Sequence, residues 1–332
     1  MFDLLSAYRQ TGADLPFGNP EHAHGVAMEG YFWRFTNVED GRAVIALIGV
    51  QQTPEGPWAL CGLGGSDGFW RYDVFEGART RRAGLGARTD NGSFFGDDGR
   101  VAVDLGPDAR LDVTLHDLQS WPHRAFGGSS YFQTVPALNQ YWHPWLLGGQ
   151  VSGAAIIGGE RWDLSGASVY GEKNWGRAGF PDSWWWGQAQ GFADEQACIA
   201  FAGGEVYAGP IRTEVTGLVV RLPDGTVLRL GNPGTSPVEA TVSDSRWHLR
   251  GRSPRWDVEV DAHAPLGDAL VLPVPLVDER RGTPGALEHL AGHLEVRVRR
   301  NGREVWTGET ALAGLEHGGL ARAEAEAARR RV

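Results

Sequence analysis

The chain has 332 residues, 42% of them hydrophobic and 22% charged, the balance of a folded globular protein rather than a disordered one. Its formal net charge of −10 leaves no basic stripe to neutralise phosphates, which excludes nucleic acid as a partner. The 48 glycines and 18 prolines, with few strongly helical runs, predict an all-β protein of short strands and tight turns, large enough for two medium domains.

In chain order, residues 2–10 predict a short helical turn and residues 11–27 an irregular lead-in. The run Glu29-Gly30-Tyr31-Phe32-Trp33-Arg34-Phe35 is a strand by its aromatic content. A turn at Glu39-Asp40-Gly41 precedes Ala43–Ile48, apolar on both faces and therefore an interior strand. Further strands are expected at 58–63, 68–75, 101–105 and 110–116, and the Gly-rich stretch 62–68 reads as a turn. Trp184–Phe192, an acidic turn and Ala197–Gly203 repeat the first hairpin. Aligning Ala197 on Ala43 gives an offset of 154 residues that also superposes Ile199 on Ile45 and Ala200 on Ala46. This predicts a tandem duplication of a β-domain with its joint near residue 180. A hairpin about Asp224-Gly225, strands at 238–243, 245–250, 255–262 and 269–276, and a hairpin at Asn301-Gly302 complete the β content. Long antiparallel sheets of this kind usually close into barrels or sandwiches. The Ala/Glu-rich end, finishing in Arg329–Arg331, predicts a solvated helix with a frayed basic tip. The domain division is therefore 1–25 lead-in, 26–180 first β-domain, 181–316 second β-domain and 317–332 helical tail.

Of 31 basic side chains only Lys173 is a lysine, within Tyr170-Gly171-Glu172-Lys173-Asn174-Trp175-Gly176. An ammonium is a compact charge whose pKa moves on burial, unlike a guanidinium. Lys173 is thus either a functional cation or a tight ion-pair partner. Seven of the 14 tryptophans lie between Trp142 and Trp186. Strand alternation places Trp184, Trp186, Gln188 and Gln190 on one face, and Trp185, Gly187 and Ala189 on the other. It likewise sets Tyr170, Glu172 and Asn174 opposite Gly171, Lys173 and Trp175. Gly176–Pro181 is a loop between the two strands. Rings and amides beside a Glu and a Lys suit an amphipathic ligand with a flat polar head; a packed core between domains would use the same residues.

This motif, with Phe180-Pro181 and Trp184-x-Trp186-x-Gln188 after it, resembles the signature of the tocopherol cyclase family. Glu29-Gly30-Tyr31-Phe32 and Tyr141-Trp142-His143-Pro144-Trp145 resemble flanking segments of that family, so the likeness spans roughly residues 20–205. The resemblance implies two lipocalin-like antiparallel β-barrel domains in tandem, a fold shared with carotenoid hydratase-like proteins. It also implies an activity, closure of a chroman ring on a prenylated benzoquinol.

Such a reaction delivers a proton to a trisubstituted alkene and adds a phenolic oxygen, and it requires no redox cofactor or metal. A carboxylic acid kept neutral by desolvation can supply the proton. Glu172 is the first candidate, ahead of Glu29 and Asp182; its alternative is a buried ion pair. Trp184 and Trp186 would face the developing cation, with Asn174 and Gln188 on the ring oxygens. Lys173 would polarise the phenol or hold a carboxylate, and Tyr141, Tyr170 and Trp175 would complete the pocket. Alternation sends Glu172 and Lys173 to opposite faces, so they share one pocket only across a bulge. The expected partner is a hydrophobic small molecule, a prenylated aromatic or other isoprenoid lipid. Two other classes remain open, a non-catalytic carrier using the barrel cavity and a hydratase in which water captures the protonated alkene.

His22 and His24 on one strand face, or His289 and His293 at helical spacing, offer metal ligands without a complement nearby, and no metal is expected. Cys61 and Cys198 lie in apolar strand patterns and are expected to be buried free thiols. No nucleophile elbow, phosphate loop or dinucleotide fingerprint is present. Without a secretory pattern or an apolar run of about 20 residues, a cytoplasmic location is expected, with peripheral membrane contact left open.

Overall fold

The computed structural model describes residues 4–17, 20–24, 26–81, 84–122, 125–177 and 180–331. Two antiparallel sheets make up almost all of it, one of 13 strands between residues 28 and 176 and one of 10 strands between 184 and 318. The only α-helices among these residues are Leu4–Arg9 and Leu320–Arg329. Residues 2–3 of the expected first helix and residues 178–179 of the loop at 176–181 lie outside the described set.

Each sheet is a meander whose first strand pairs with its last. In the first, Met28–Asn37 lies between Arg42–Gln51 and Ser168–Gly176; in the second, Trp184–Ala189 lies between Cys198–Ala208 and Arg303–Gly318. In both, the run of ladders is interrupted after the fourth strand. The edge strands Trp70–Glu76 and Ala78–Thr80 are separated by Gly77 alone, at φ 72°, a left-handed kink that turns the chain off one edge and onto the other. Val227–Leu230 and Val238–Val242 are the corresponding edges of the second sheet, joined through the Asn232–Ser236 bridge. The expected barrels are therefore curled sheets, not closed by a ladder among the described residues.

The sequence offset of 154 holds on the first strand of each unit but not on the second. Ile45 lies in the core between the sheets, whereas Ile199 lies inside the second sheet; Ala200 is the residue that faces as Ile45 does. The connection to the second strand is one residue longer in the later copy, and a one-residue slip exchanges the faces of a strand. The stretch at 62–68 also differs from expectation. Gly62, Gly64 and Gly65 belong to the strand Trp58–Gly65, and the indole of Trp70 lies where a Cβ at Gly62 or Gly64 would stand. The short strands Ala78–Thr80, Ala87–Thr89 and Phe94–Gly96 have too few residues to show alternation in sequence. The terminal helix is docked rather than solvated. Ala323 and Glu326 are buried, and Arg330 donates to the carbonyls of Ala269 at 2.6 Å and Leu266 at 3.2 Å.

Three apolar layers result. Tyr31, Trp33 and Phe35 fill the inside of the first sheet, and Trp185, Ala189 and Phe201 that of the second. The opposite faces of the same first strands meet each other. Phe32 sits edge-on to Trp186 with ring centroids 5.1 Å apart, and Arg34 Nη1 donates to Gln188 Oε1 at 3.0 Å. Arg34 is fully buried and also donates to the carbonyls of Leu290 and Leu312 at 2.8 and 2.6 Å. Desolvation lowers its pKa to about 10, so it stays charged and ties the two sheets together. Both cysteines are buried free thiols.

Candidate functional site

A cavity of about 230 Å³ lies between the sheets, bordered by Phe32, Leu47, Trp142, Trp184, Trp186 and Leu272 and by four carboxyl residues, Glu172, Glu288, Glu316 and Glu205, the last partly exposed and paired with Arg212. It is made from the surfaces the two sheets turn toward each other, not from a barrel interior, because the interiors are filled with side chains.

Glu172 sits in the strand Ser168–Gly176, directly opposite Phe32. Tyr170 precedes it by two residues and shares its face, and Trp142 reaches the same face from the strand Tyr141–Leu146. Trp186 approaches from the second sheet. All three donate to one oxygen, Oε2: the Tyr170 hydroxyl at 2.6 Å, Trp142 Nε1 at 2.8 Å and Trp186 Nε1 at 2.8 Å. Oε1 carries no hydrogen bond among the described residues. No Lys, Arg or His forms an ion pair with Glu172 there.

Burial pushes the Glu172 pKa up to about 7; the three donors hold it down, and Glu316 adds a small push upward. A neutral carboxyl is thus populated near neutral pH. Donors crowded on Oε2 assign it the carbonyl role and leave Oε1 to carry the proton. The Tyr170 phenol is itself raised well above 10 by burial and by Glu172, which keeps it a donor.

Lys173 points to the opposite side of the strand, as alternation requires, and no bulge brings it round. It is fully buried, with Nζ 3.2 Å from Glu29 Oε2, 2.6 Å from the Ala23 carbonyl and 4.8 Å from the centre of the Trp175 ring. His24 Nδ1 lies 2.8 Å from the same Glu29 oxygen. This cluster joins the lead-in segment to the first sheet, and neither Lys173 nor Glu29 borders the cavity.

The other candidates divide in the same way. Asn174, Trp184 and Trp186 border the cavity, and Gly30 makes room for Asn174, whose Oδ1 occupies the position of a Cβ there. Tyr141 touches the cavity wall, but its ring stacks on Trp175 and its hydroxyl donates to the Val135 carbonyl at 2.6 Å. Trp175 donates to the Gly12 carbonyl at 2.8 Å. Tyr170 and Gln188 stand behind the wall, one on Glu172 and the other on Arg34.

Asp182 is absent from the cavity lining among the described residues. His22 is in a 3-10 turn and His24 is engaged by Glu29, so the pair shares no strand face. His289 and His293 lie on a strand, not a helix; His289 is buried beside Trp247, with its pKa lowered to about 4 by desolvation, and His293 is on the outer surface with Glu295 and Glu309.

Sequence reasoning passed over Trp142, Glu288 and Glu316. Trp142 belongs to a segment quoted above, but only the ladder that sets it opposite Asn174 brings it to Glu172. Glu288 carried a weak signal, a carboxyl beside His289 and flanked by Ala286, Leu287 and Leu290. Glu316 carried none, because only the ladder reveals that it stands opposite Trp186 as Glu172 stands opposite Phe32.

Residues 91–319 match the model of the family described as tocopherol cyclase-like. A probable chloroplastic tocopherol cyclase of Oryza sativa subsp. japonica is 27% identical over 241 residues, covering 68% of this chain and 50% of the relative. The chain thus spans about half the length of that protein. Among solved structures, CghA has a TM-score of 0.59 at 13% identity, covering 89% of this chain and 88% of that one. Kievitone hydratase from Nectria haematococca has a TM-score of 0.53 at 13% identity, with 88% of each chain covered. These likenesses establish the fold, and no helix among the described residues is long and apolar enough to cross a membrane. The family match begins at residue 91, after the Glu29–Phe32 segment, and runs through the second sheet beyond the motifs that first suggested it. The chain belongs to the tocopherol cyclase-like family.

Proposed function

We propose that this protein closes an oxygen heterocycle on a prenylated benzoquinol or related prenylated aromatic alcohol by protonating the prenyl alkene from Glu172. The observation that carries this reading is a buried carboxyl whose donors occupy one oxygen only, at the wall of an apolar cavity. The proton on Oε1 passes to the less substituted alkene carbon. Positive charge develops on the tertiary carbon, and the phenolic oxygen adds there. Oxidation state does not change.

The three donors act after the proton has left. The Glu172 carboxylate would be costly in an apolar site, but a phenol and two indoles already point at it and need no reorganisation. Trp184, Trp186 and Phe32 border the cavity, and their rings would stabilise a tertiary cation there through their quadrupoles. Asn174 offers an amide to a ring oxygen. A volume of about 230 Å³ lies just below the range of drug-sized pockets, which suits an aromatic head and its first isoprene unit while the tail extends outward.

Incubation of the purified protein with a prenylated benzoquinol, in water enriched in the heavy oxygen isotope, tests this directly. Chroman formation without solvent oxygen supports ring closure. A tertiary alcohol bearing solvent oxygen would make the protein a hydratase, and binding without turnover would make it a carrier.

A further inference from the structure

The cavity holds a second carboxyl centre that the alkene-protonating step leaves unused. Glu288 and Glu316 stand directly opposite each other on neighbouring strands, Glu288 buried, Glu316 partly so, and both bordering the cavity. Two carboxylates facing each other across a ladder at this depth disfavour double ionisation, and burial together with the Glu316 charge raises the Glu288 pKa well above the usual carboxylate range. Trp184 Nε1 donates to Glu316 Oε1, while Glu288 Oε1 is buried with no hydrogen bond among the described residues.

The arrangement echoes that of Glu172. Positions 32 and 186, which are 154 residues apart, face Glu172 and Glu316 in the two sheets. One strand serves both centres, Trp186 donating to Glu172 and Trp184 to Glu316. The surroundings differ: the second centre has two facing carboxyls, which with one proton between them would carry a net negative charge, and the Arg34 guanidinium acts on Glu288.

We infer that the Glu288–Glu316 pair is the proton acceptor of the cavity, taking the hydroxyl proton of the substrate as its oxygen bonds to the tertiary carbon. This rests on the function proposed above. The balance is complete: Glu172 O–H breaks as the alkene C–H forms, and the substrate O–H breaks as the C–O bond forms. The pair then holds two protons and Glu172 none. One proton returning to Glu172 after product leaves restores the starting state.

The test compares wild type, Glu172→Gln, Glu316→Gln, Glu288→Gln and Glu316→Asp on a prenylated benzoquinol in heavy water. It follows chroman formation and deuterium appearing in the prenyl group of recovered substrate. Glu172→Gln is expected to lose both signals. Glu316→Gln is expected to lose cyclisation by about 100-fold or more while deuterium exchange persists, because the cation still forms and returns its proton. Glu316→Asp keeps a carboxyl and should cyclise faster than Glu316→Gln. Wild-type cyclisation in both Glu316→Gln and Glu288→Gln, with Glu172→Gln inactive, would overturn the acceptor role and leave Glu172 in place. Joint loss of cyclisation and exchange in Glu316→Gln would also overturn it. Failure of the wild type to form chroman, or full activity in Glu172→Gln, would instead remove the function on which the inference rests.

Discussion

Glu29 and Glu172 are buried carboxyls on paired strands of one sheet, yet their neighbours give them opposite characters. Glu29 has the Lys173 ammonium at 3.2 Å and His24 at 2.8 Å, so its charge is compensated where it lies. Glu172 has three neutral donors and no cation paired with it among the described residues, so its charge is only partly compensated and a proton is retained to about pH 7. Burial by itself does not make a carboxyl an acid; the presence or absence of an ammonium at the same depth decides. Adjacent residues of one strand, Glu172 and Lys173, divide the two duties by pointing to opposite faces. One face anchors the lead-in segment, and the other faces the cavity.

The contrast breaks most sharply at Glu172. Replacing it with Gln keeps the shape and an acceptor for the three donors but removes the proton, and turnover of a prenylated benzoquinol should fall by about 10² to 10⁴-fold with the fold intact. Steady-state rates beside a thermal melt check both halves of that statement. At Lys173 the expected effect is on stability. Lys173→Met strands Glu29 without its ammonium and should cost about 3–5 kcal/mol in denaturant unfolding. Lys173→Arg should cost less but not nothing, because a planar fork replaces a compact charge packed on Trp175. If Lys173→Met instead abolished turnover at full stability, the division of duties would be wrong.

A pH series sharpens the comparison further. The folded Glu172 pKa of about 7 exceeds its unfolded value, so the folded chain holds a proton that the unfolded chain has lost across the interval between them. The contribution of this group to stability is therefore greatest below the unfolded pKa and falls as pH rises to about 7, by on the order of 3 kcal/mol. Glu288 and Glu316, also raised by burial, add to the same slope. The stability advantage of wild type over Glu172→Gln should shrink by the Glu172 contribution from pH 4.5 to 8. The comparison with the variant is needed because His289 and His317, lowered by burial, make the absolute curve rise over the acid part of this range. The smallest effect is expected from Trp142→Phe, which removes one donor from Oε2. The loss of activity at high pH should then move upward by about one pH unit, since a single hydrogen bond to a charged group is worth about 1.5 kcal/mol.

Much of this was readable from residues alone, and what was not has identifiable causes. Aromatic content located strands at 29–35 and 184–192, observed at 28–37 and 184–189, and alternation separated Trp184 and Trp186 from Trp185 and Ala189 correctly, because a two-residue period survives any tertiary arrangement. The same rule foresaw the split between Glu172 and Lys173. It could not place Glu316, whose function depends on a partner strand 130 residues away in sequence. Nor could it locate the cavity, since faces turned toward another sheet and faces turned inward are equally apolar. The offset of 154 failed on the second strand because small apolar residues match one another in either register. Gly62 and Gly64 resembled a turn because their reason for being small, the Trp70 indole, lies on the neighbouring strand.

The claim beneath all of this is that Glu172 carries a proton at near-neutral pH. Infrared difference spectra of wild type against Glu172→Gln, recorded from pH 5 to 9, examine it without any substrate. A carboxylic-acid carbonyl band present in wild type at pH 5–6, absent from the variant and giving way to carboxylate near pH 7, is the expected result. A Glu172 already fully ionised at pH 5 would contradict the account.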